Sequence, residues 1–237
     1  MPYWQHRPFL PKTCASGPNQ GMPKSVIVAI DGPAGAGKST VARSVARRLG
    51  FLYIDTGAMY RAVALWAIRT GIALDDFHRL EQLARQARIE FDGALVRLNG
   101  EDVSAAIRDA SVGDAASKIA AYGGVRRAMS AEQRRIAASQ SSVLEGRDIG
   151  TVVFPEAQVK IFLDAHPEER ARRRAAETGV APARVAQEIE ARDRRDRTRA
   201  EAPLTQAPDA EYLDTSSLSP EQVEEAILKL VRKRISN

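Results

Sequence analysis

The chain has 237 residues, 44% of them hydrophobic, and a net charge of +5, which is enough apolar material for the core of one large α/β domain. Its single cysteine, Cys14, excludes a disulfide within the chain and fits a reducing, cytoplasmic setting, and no apolar run approaches the roughly 18 residues that cross a bilayer. The positive charge suits nucleic acid, a membrane surface or a polyanionic small molecule alike, and selects none of them.

Residues Met1 to Lys24 hold five prolines and no acidic residue. They lack the continuous apolar stretch of a secretory signal. Residues 1–23 are expected to form a disordered extension, with Met22 as an alternative start, and residues 24–237 a single domain. Organised sequence begins with Ser25 to Asp31 (SVIVAID), a β-branched apolar run that predicts a strand. A glycine-rich turn follows, then STVARSVARRLG, where Val41, Val45, Ala46 and Leu49 recur at helical spacing and Gly50 stops the helix. Phe51 to Asp55 predicts a second strand, Ala58 to Thr70 a helix ended by Gly71, and Leu74 to Ala87 another helix. Ile89 to Val103 changes character. It alternates, carries turn signals at Asp92-Gly93 and Asn99-Gly100, and reads as an inserted β-hairpin. Val112 to Ser139 returns to helix, broken near Gly123-Gly124. Ser142 to Glu145 and Val159 to Asp164 predict buried strands. Pro167 to about Ala200 is long, helical and dense in arginine. Tyr212 to Asp214 is a last short strand, and Pro220 to Arg234 a closing amphipathic helix. Strands alternating with helices imply an α/β fold with a parallel sheet covered on both faces.

The chemistry enters at Gly32-Pro33-Ala34-Gly35-Ala36-Gly37-Lys38-Ser39, which matches G-x-x-x-x-G-K-[ST] in full. Glycines let the backbone curl so that successive N–H groups point at phosphate oxygens. The helix that starts near Lys38 adds the positive end of its dipole. Lys38 would reach the β- and γ-phosphates, and Ser39 would offer its hydroxyl to Mg²⁺. The motif sits between a predicted strand and a predicted helix, the context it requires. Neither D-x-x-G nor N-K-x-D occurs, which removes a Ras-like GTPase, and the strand from Ser142 to Glu145 lacks the pattern of a large ATPase. An enzyme passing phosphate to a small acceptor remains.

A phosphorylated acceptor beside ATP needs several cations besides Lys38. Arg61 follows the strand end at Asp55, and Arg147 and Asp148 lie in Gly146-Arg147-Asp148-Ile149-Gly150, also just past a strand. Both turns face the sheet edge that carries the phosphate loop. The blander readings are a solvated helix arginine at 61 and a plain loop ion pair at 147 and 148. Arg192, Asp196 and Arg199 fall on one helix face, and Arg170, Arg173 and Arg174 share another. Such faces are often merely solvated, but after a phosphate loop an arginine-bearing helix pair suits a lid that closes over ATP. Two competitors stay open: another small-molecule kinase, acting on UMP, AMP or shikimate, and a basic nucleic-acid-binding NTP sensor. The low aromatic content, 5%, argues against a single-strand binding surface.

The stretches IDGPAGAGKST, DTGAMYR, NGEDVS, AASKIAAYGGVR, GRDIGTVVFPEAQVKIFLDA, ARDRRDRTRAEAPL and LDTSSLS run in the order found in the bacterial cytidylate kinase family, which the chain resembles from about Val26 to its last helix. The resemblance implies a nucleoside monophosphate kinase with a P-loop kinase fold: a central parallel five-stranded sheet flanked by helices, with a core over 24–55, 140–166 and 203–237. A monophosphate-binding region carrying the β insert would span about 56–139, and an arginine lid about 167–202. The implied activity is Mg²⁺-assisted transfer of phosphate from ATP to CMP or dCMP by a cytoplasmic monomer with no nucleic-acid or membrane partner. By matched position, Lys38, Arg61, Arg147 and Arg199 would serve catalysis. Thr40, next to the loop, and Arg170 and Arg174, from their shared helix face, would join residues 32–39 around ATP. Thr56 and Tyr60 would line the acceptor pocket, Arg61, Arg147 and Arg199 would bind its phosphate, Ser117, Arg126 and Asp148 would read cytosine, and Arg192 and Asp196 would hold the sugar. Position 56 is often Ser in relatives, and Glu145 stands where some have Asp. The base reading also makes chemical sense alone. Cytosine offers an N4 donor and acceptors at N3 and O2, which Asp148, Arg126 and Ser117 complement. Uracil inverts the first two, at a cost of about 1–3 kcal/mol for each mispaired buried group.

Overall fold

The computed structural model describes residues 25–235. The expected extension over 1–23, with Met22 and Cys14, lies outside them.

Five parallel strands form the central sheet: β1 (Ile27–Asp31), β2 (Leu52–Asp55), β6 (Ser142–Gly146), β7 (Val159–Asp164) and β8 (Glu211–Asp214), in the order β2-β6-β1-β7-β8. Every residue of β1 and β6 is buried, as expected for parallel strands with helices on both faces. One face is covered by α1 (Lys38–Leu49) and α8 (Pro220–Ile235), whose Val41, Val45, Ile227 and Val231 pack on Val28, Ile30 and Leu163. The other is covered by α2 (Thr56–Arg69), α3 (Phe77–Gln86), α4 (Ala110–Ile119) and α5 (Gly123–Ala137), which bring Met59, Val63, Leu80, Ile119 and Met129 together. Because the strands are parallel, the segments after β1, β2, β6 and β7 all emerge at one edge.

Local chemistry sets the boundaries. Gly50 adopts φ 67° and bonds back to Ala46 and Arg47, closing α1. The Asp55 side chain accepts from the Ala58 N–H at 2.8 Å, so α2 starts two residues before the expected Ala58. Asp76 caps α3 in the same way, which delays that helix from the expected Leu74 to Phe77.

One segment differs from the sequence reading and two are sharpened by the structure. The insert is a three-stranded antiparallel meander of β3 (Ile89–Asp92), β4 (Leu95–Leu98) and β5 (Glu101–Asp102), because Asn99 and Gly100 both adopt positive φ and turn the chain a second time. Gly123 and Gly124 open α5, and the break lies just before them at residues 120–122. The arginine-rich stretch is two helices, α6 (Pro167–Thr178) and α7 (Pro182–Thr198), separated at Gly179 with φ 69°. A small apolar cluster of Ala34, Ala175, Val185 and Ile189 seats this pair on the phosphate loop.

Candidate active site

The loop from Gly32 to Ser39 connects β1 to α1 as expected. Gly32 is required by close approach: with φ 150°, a Cβ there would stand 2.0 Å from the Leu163 carbonyl oxygen on β7. Gly37, at φ 86°, caps α1 without any side chain, which leaves the first-turn N–H groups directed to a ligand. Lys38 is buried, and its Nζ donates to the Pro33 carbonyl at 2.6 Å. Burial and then the Arg147 guanidinium depress its pKa to about 7. Ser39 and Thr40 are exposed at the start of α1. The Ser39 hydroxyl donates to Glu145 at 2.9 Å, and the Tyr53 hydroxyl donates to the other oxygen of the same carboxylate. Burial and the neighbouring Asp55 carboxylate push Glu145 upward. Glu145, left without a role by the sequence, thus stands behind the loop serine.

Helices α6 and α7 are tied to the loop. Asp193 Oδ1 accepts from the Ala34 N–H at 3.1 Å, and Arg170 donates to the Ala34 carbonyl at 2.9 Å and also bonds Asp193. Arg170 bonds the Ala165 carbonyl as well, so this arginine, expected at ATP, braces the loop from behind. Arg173 bonds Thr215, whose hydroxyl reaches the Ala36 carbonyl at 3.4 Å, a second brace. Arg174, also expected at ATP, is exposed and paired with Glu177. Asp193→Ala would leave the buried Arg170 with only the Asp164 carboxylate, 4.0 Å away, as counter-charge. It is expected to lower stability by about 3–5 kcal/mol, read as a fall in the urea midpoint.

Five of the residues expected at the acceptor, Arg126, Asp148, Arg199, Asp196 and Arg147, form a chain of alternating charge. Arg126 bonds Asp148; Arg199 lies 3.6 Å from both Asp148 and Asp196; and Arg147 donates to Asp196 at 2.9 Å. Tyr60 lies beneath Arg126, whose guanidinium is 5.7 Å from the ring centroid. Burial pushes the Tyr60 hydroxyl up to about 12. Burial also raises Asp196, but Arg147, Arg192 and Arg199 more than offset it and hold the carboxyl low. Arg61 pairs with Asp55 at 3.1 Å, and Thr56 donates to the Glu145 carbonyl at 2.6 Å. Arg192 has its pKa lowered to about 10 by burial and by the facing cation of Arg147.

Several of these groups, and Ser117 on α4, carry buried polar atoms with no hydrogen-bond partner: Arg61 Nε, Ser117 Oγ, Arg126 Nε, Arg192 Nε and Arg199 Nη2. Unpaired buried donors are rare in folded proteins and call for a ligand or a functional reason. An anion among the arginines, and a polar group reaching Ser117 and Arg126, would satisfy them.

The sequence reading missed Asp31 and Asp193, and named Arg173 only as one of a shared helix face. Asp31 ends β1 and accepts from the Ile149 and Gly150 N–H groups at 2.8 and 2.7 Å. Those residues open a π-helical turn, Ile149–Val153, a conformation that marks functional segments and that no local pattern in the sequence announces. Asp31 and Asp193 bond backbone N–H groups far along the chain, so spacing gives no sign of them.

Comparison with known proteins adds the following. The family model described as Cytidylate kinase matches residues 28–233. A cytidylate kinase of Solibacter usitatus is 60% identical over 90% of this chain and 95% of its own length. One from Pelotomaculum thermopropionicum is 51% identical over 88% and 95%, and one from Shouchella clausii is 48% identical over 90% and 98%.

Proposed function

The chain belongs to the cytidylate kinase family, and we propose on that premise that the two halves of its site bring ATP and a cytidine monophosphate together for direct phosphoryl transfer. Its reaction is the ATP-dependent phosphorylation of CMP and dCMP. The loop from Gly32 to Ser39 holds the donor triphosphate, with Lys38 following the transferred group. The region over 56–139 supplies Thr56, Tyr60, Arg61, Ser117 and Arg126 to the acceptor. Residues 167–202 form the lid that brings Arg192, Asp196 and Arg199.

The observation that carries this reading is the set of unpartnered buried donors, on Arg61, Ser117, Arg126, Arg192 and Arg199. Arg61, Arg192 and Arg199, with Arg147, suit a phosphate. Arg126, beside the Asp148 carboxylate, and Ser117 on α4 suit the acceptor edge and the amine of cytosine. The attacking group is a monophosphate oxygen, already an anion, so the chain needs no general base. Its residues position the two substrates and neutralise charge.

The oxygen donors also fit Mg²⁺, a hard cation that prefers few protein ligands and several waters or phosphate oxygens. Ser39 and the Glu145 carboxylate bonded to it would hold the ion, and no group of three or more His, Cys, Asp or Glu suited to a metal occurs among the described residues. When bound, the ion neutralises charge on the β- and γ-phosphates. Tyr53 keeps the Glu145 carboxylate oriented. No helix among the described residues is long and apolar enough to cross a membrane.

A coupled assay with ATP against CMP, dCMP, UMP, AMP and shikimate tests the reading. Turnover of CMP and dCMP well above the other three is expected. Turnover of AMP or shikimate with CMP inert would overturn it.

A further inference from the structure

We propose that Asp31 is a positioning residue for acceptor recognition, acting on Arg147 and Asp148 through the backbone turn that follows them, an inference that rests on the phosphotransfer reading above. Asp31 is 5% exposed and lies directly before the phosphate loop. Both of its carboxylate oxygens are used: Oδ1 accepts from the Ile149 N–H and Oδ2 from the Gly150 N–H. Asp148, at the head of the π-helical turn, does not cap it with its own side chain. The head of the turn is therefore held by a residue of another strand. The far end is held from α5, where Arg134 donates to the Val152 and Val153 carbonyls at 2.9 and 2.8 Å.

The two clamps fix where Arg147 and Asp148 point. A π turn is an uncommon conformation, and this one carries at its head the carboxylate that faces Arg126 and, one residue earlier, the guanidinium that faces Asp196. The approach is close: a Cβ on Gly150 would stand 3.4 Å from Asp31 Oδ2 and 3.2 Å from the Lys160 side chain. Only an ionised carboxylate can accept from both N–H groups at once. An amide or a protonated acid turns a donor toward one of them and leaves it unpaired. Burial, only partly offset by those two N–H bonds, pushes Asp31 up to about 6, so the fold carries this charge at neutral pH at some expense. A buried, perturbed carboxylate next to a site is better explained by function than by stability. The phosphate loop has its own ties, to Asp193, Arg170 and Thr215, so loosening the turn should spare the donor half.

The test compares Asp31→Asn and Arg134→Gln with the unaltered enzyme, measuring KM for ATP and kcat/KM for CMP and UMP. Asp31→Asn is expected to raise KM for CMP by about 10- to 100-fold, the scale of a misplaced binding group. KM for ATP should stay within about threefold, and the preference for CMP over UMP should shrink, which general loosening of the fold would not do. Arg134 is exposed, so Arg134→Gln should fold normally and shift KM for CMP and the preference in the same direction, by less. Unaltered KM for CMP and unaltered preference in both variants, with the parent enzyme active on CMP, overturns the inference alone. A parent enzyme inert on CMP overturns the phosphotransfer reading instead. If Asp31→Asn fails to fold, Arg134→Gln decides by the same two readouts.

Discussion

Lys38→Ala is expected to abolish turnover, lowering kcat by about a thousandfold or more, while the ligand-free protein stays folded and melts at a higher temperature than the parent. The loss of activity follows from position. Lys38 is the one lysine of the phosphate loop, buried, with its ammonium resting on the Pro33 carbonyl until a triphosphate supplies a better partner. The gain in stability follows from linkage. In the unfolded chain the lysine keeps its proton up to about pH 10.5, whereas in the fold burial and Arg147 bring it down to about 7. Charging Lys38 therefore costs folding free energy at every pH below about 10.5. The cost grows as pH falls to 7 and stays constant below. Alanine removes it, so the difference in melting temperature should be largest at pH 7 and below and fade as pH rises through 8 to 10. MgATP should raise the melting temperature of the parent far more than that of the variant. A variant that turns over within tenfold of the parent would show that the loop lysine is not the phosphate ligand.

Asp148→Asn is expected to weaken CMP by about two orders of magnitude and ATP by less than about threefold. An amide offers a donor to the cytosine amine where a carboxylate accepts from it. It also weakens the bond to Arg126, itself only 4% exposed. Each mispaired buried group costs about 1–3 kcal/mol, so two account for the expected change. Alanine is a poorer choice, because it leaves Arg126 a buried cation without its carboxylate and adds roughly 3–5 kcal/mol of instability. Isothermal titration of CMP and of ATP into the Asn variant separates recognition from folding. Unchanged CMP affinity would remove Asp148 from the cytosine reader.

How much of this was legible beforehand depends on the kind of interaction. Gly32 to Ser39 could be read because each position answers to a local demand: backbone freedom, helix start, cation, hydroxyl. Arg61, Arg147, Arg192, Asp196 and Arg199 could be read from their places after strand ends or on one helix face. Arg170 and Arg174 were placed at the donor by face alone, and the fold sends one behind the loop and the other to solvent. A helical wheel ranks side chains by direction and does not say which neighbour lies there. Asp31 and Asp193 had no signal, because their partners lie 118 and 159 residues away. The helix pair was legible from its two arginine faces, but the break at Gly179 was not singled out.

The double tie between Ala34 and the lid has a consequence for how the molecule is made. The strand before the loop pairs with strands that begin at Ser142 and Val159, and the loop itself is bonded to residues 136 and 159 positions further along. Synthesis delivers the amino end first. A growing chain therefore carries the complete GPAGAGKS motif while the sheet that frames it and the helix that clamps it are still untranslated. The loop leaves the ribosome before the strands and helices that frame it and takes its shape after them, and chains halted before Asp193 should carry the motif without holding the nucleotide. Contacts spanning so much of the chain also place assembly of this site late and slow in folding, so the capture of ATP reports that nearly the whole protein has come together.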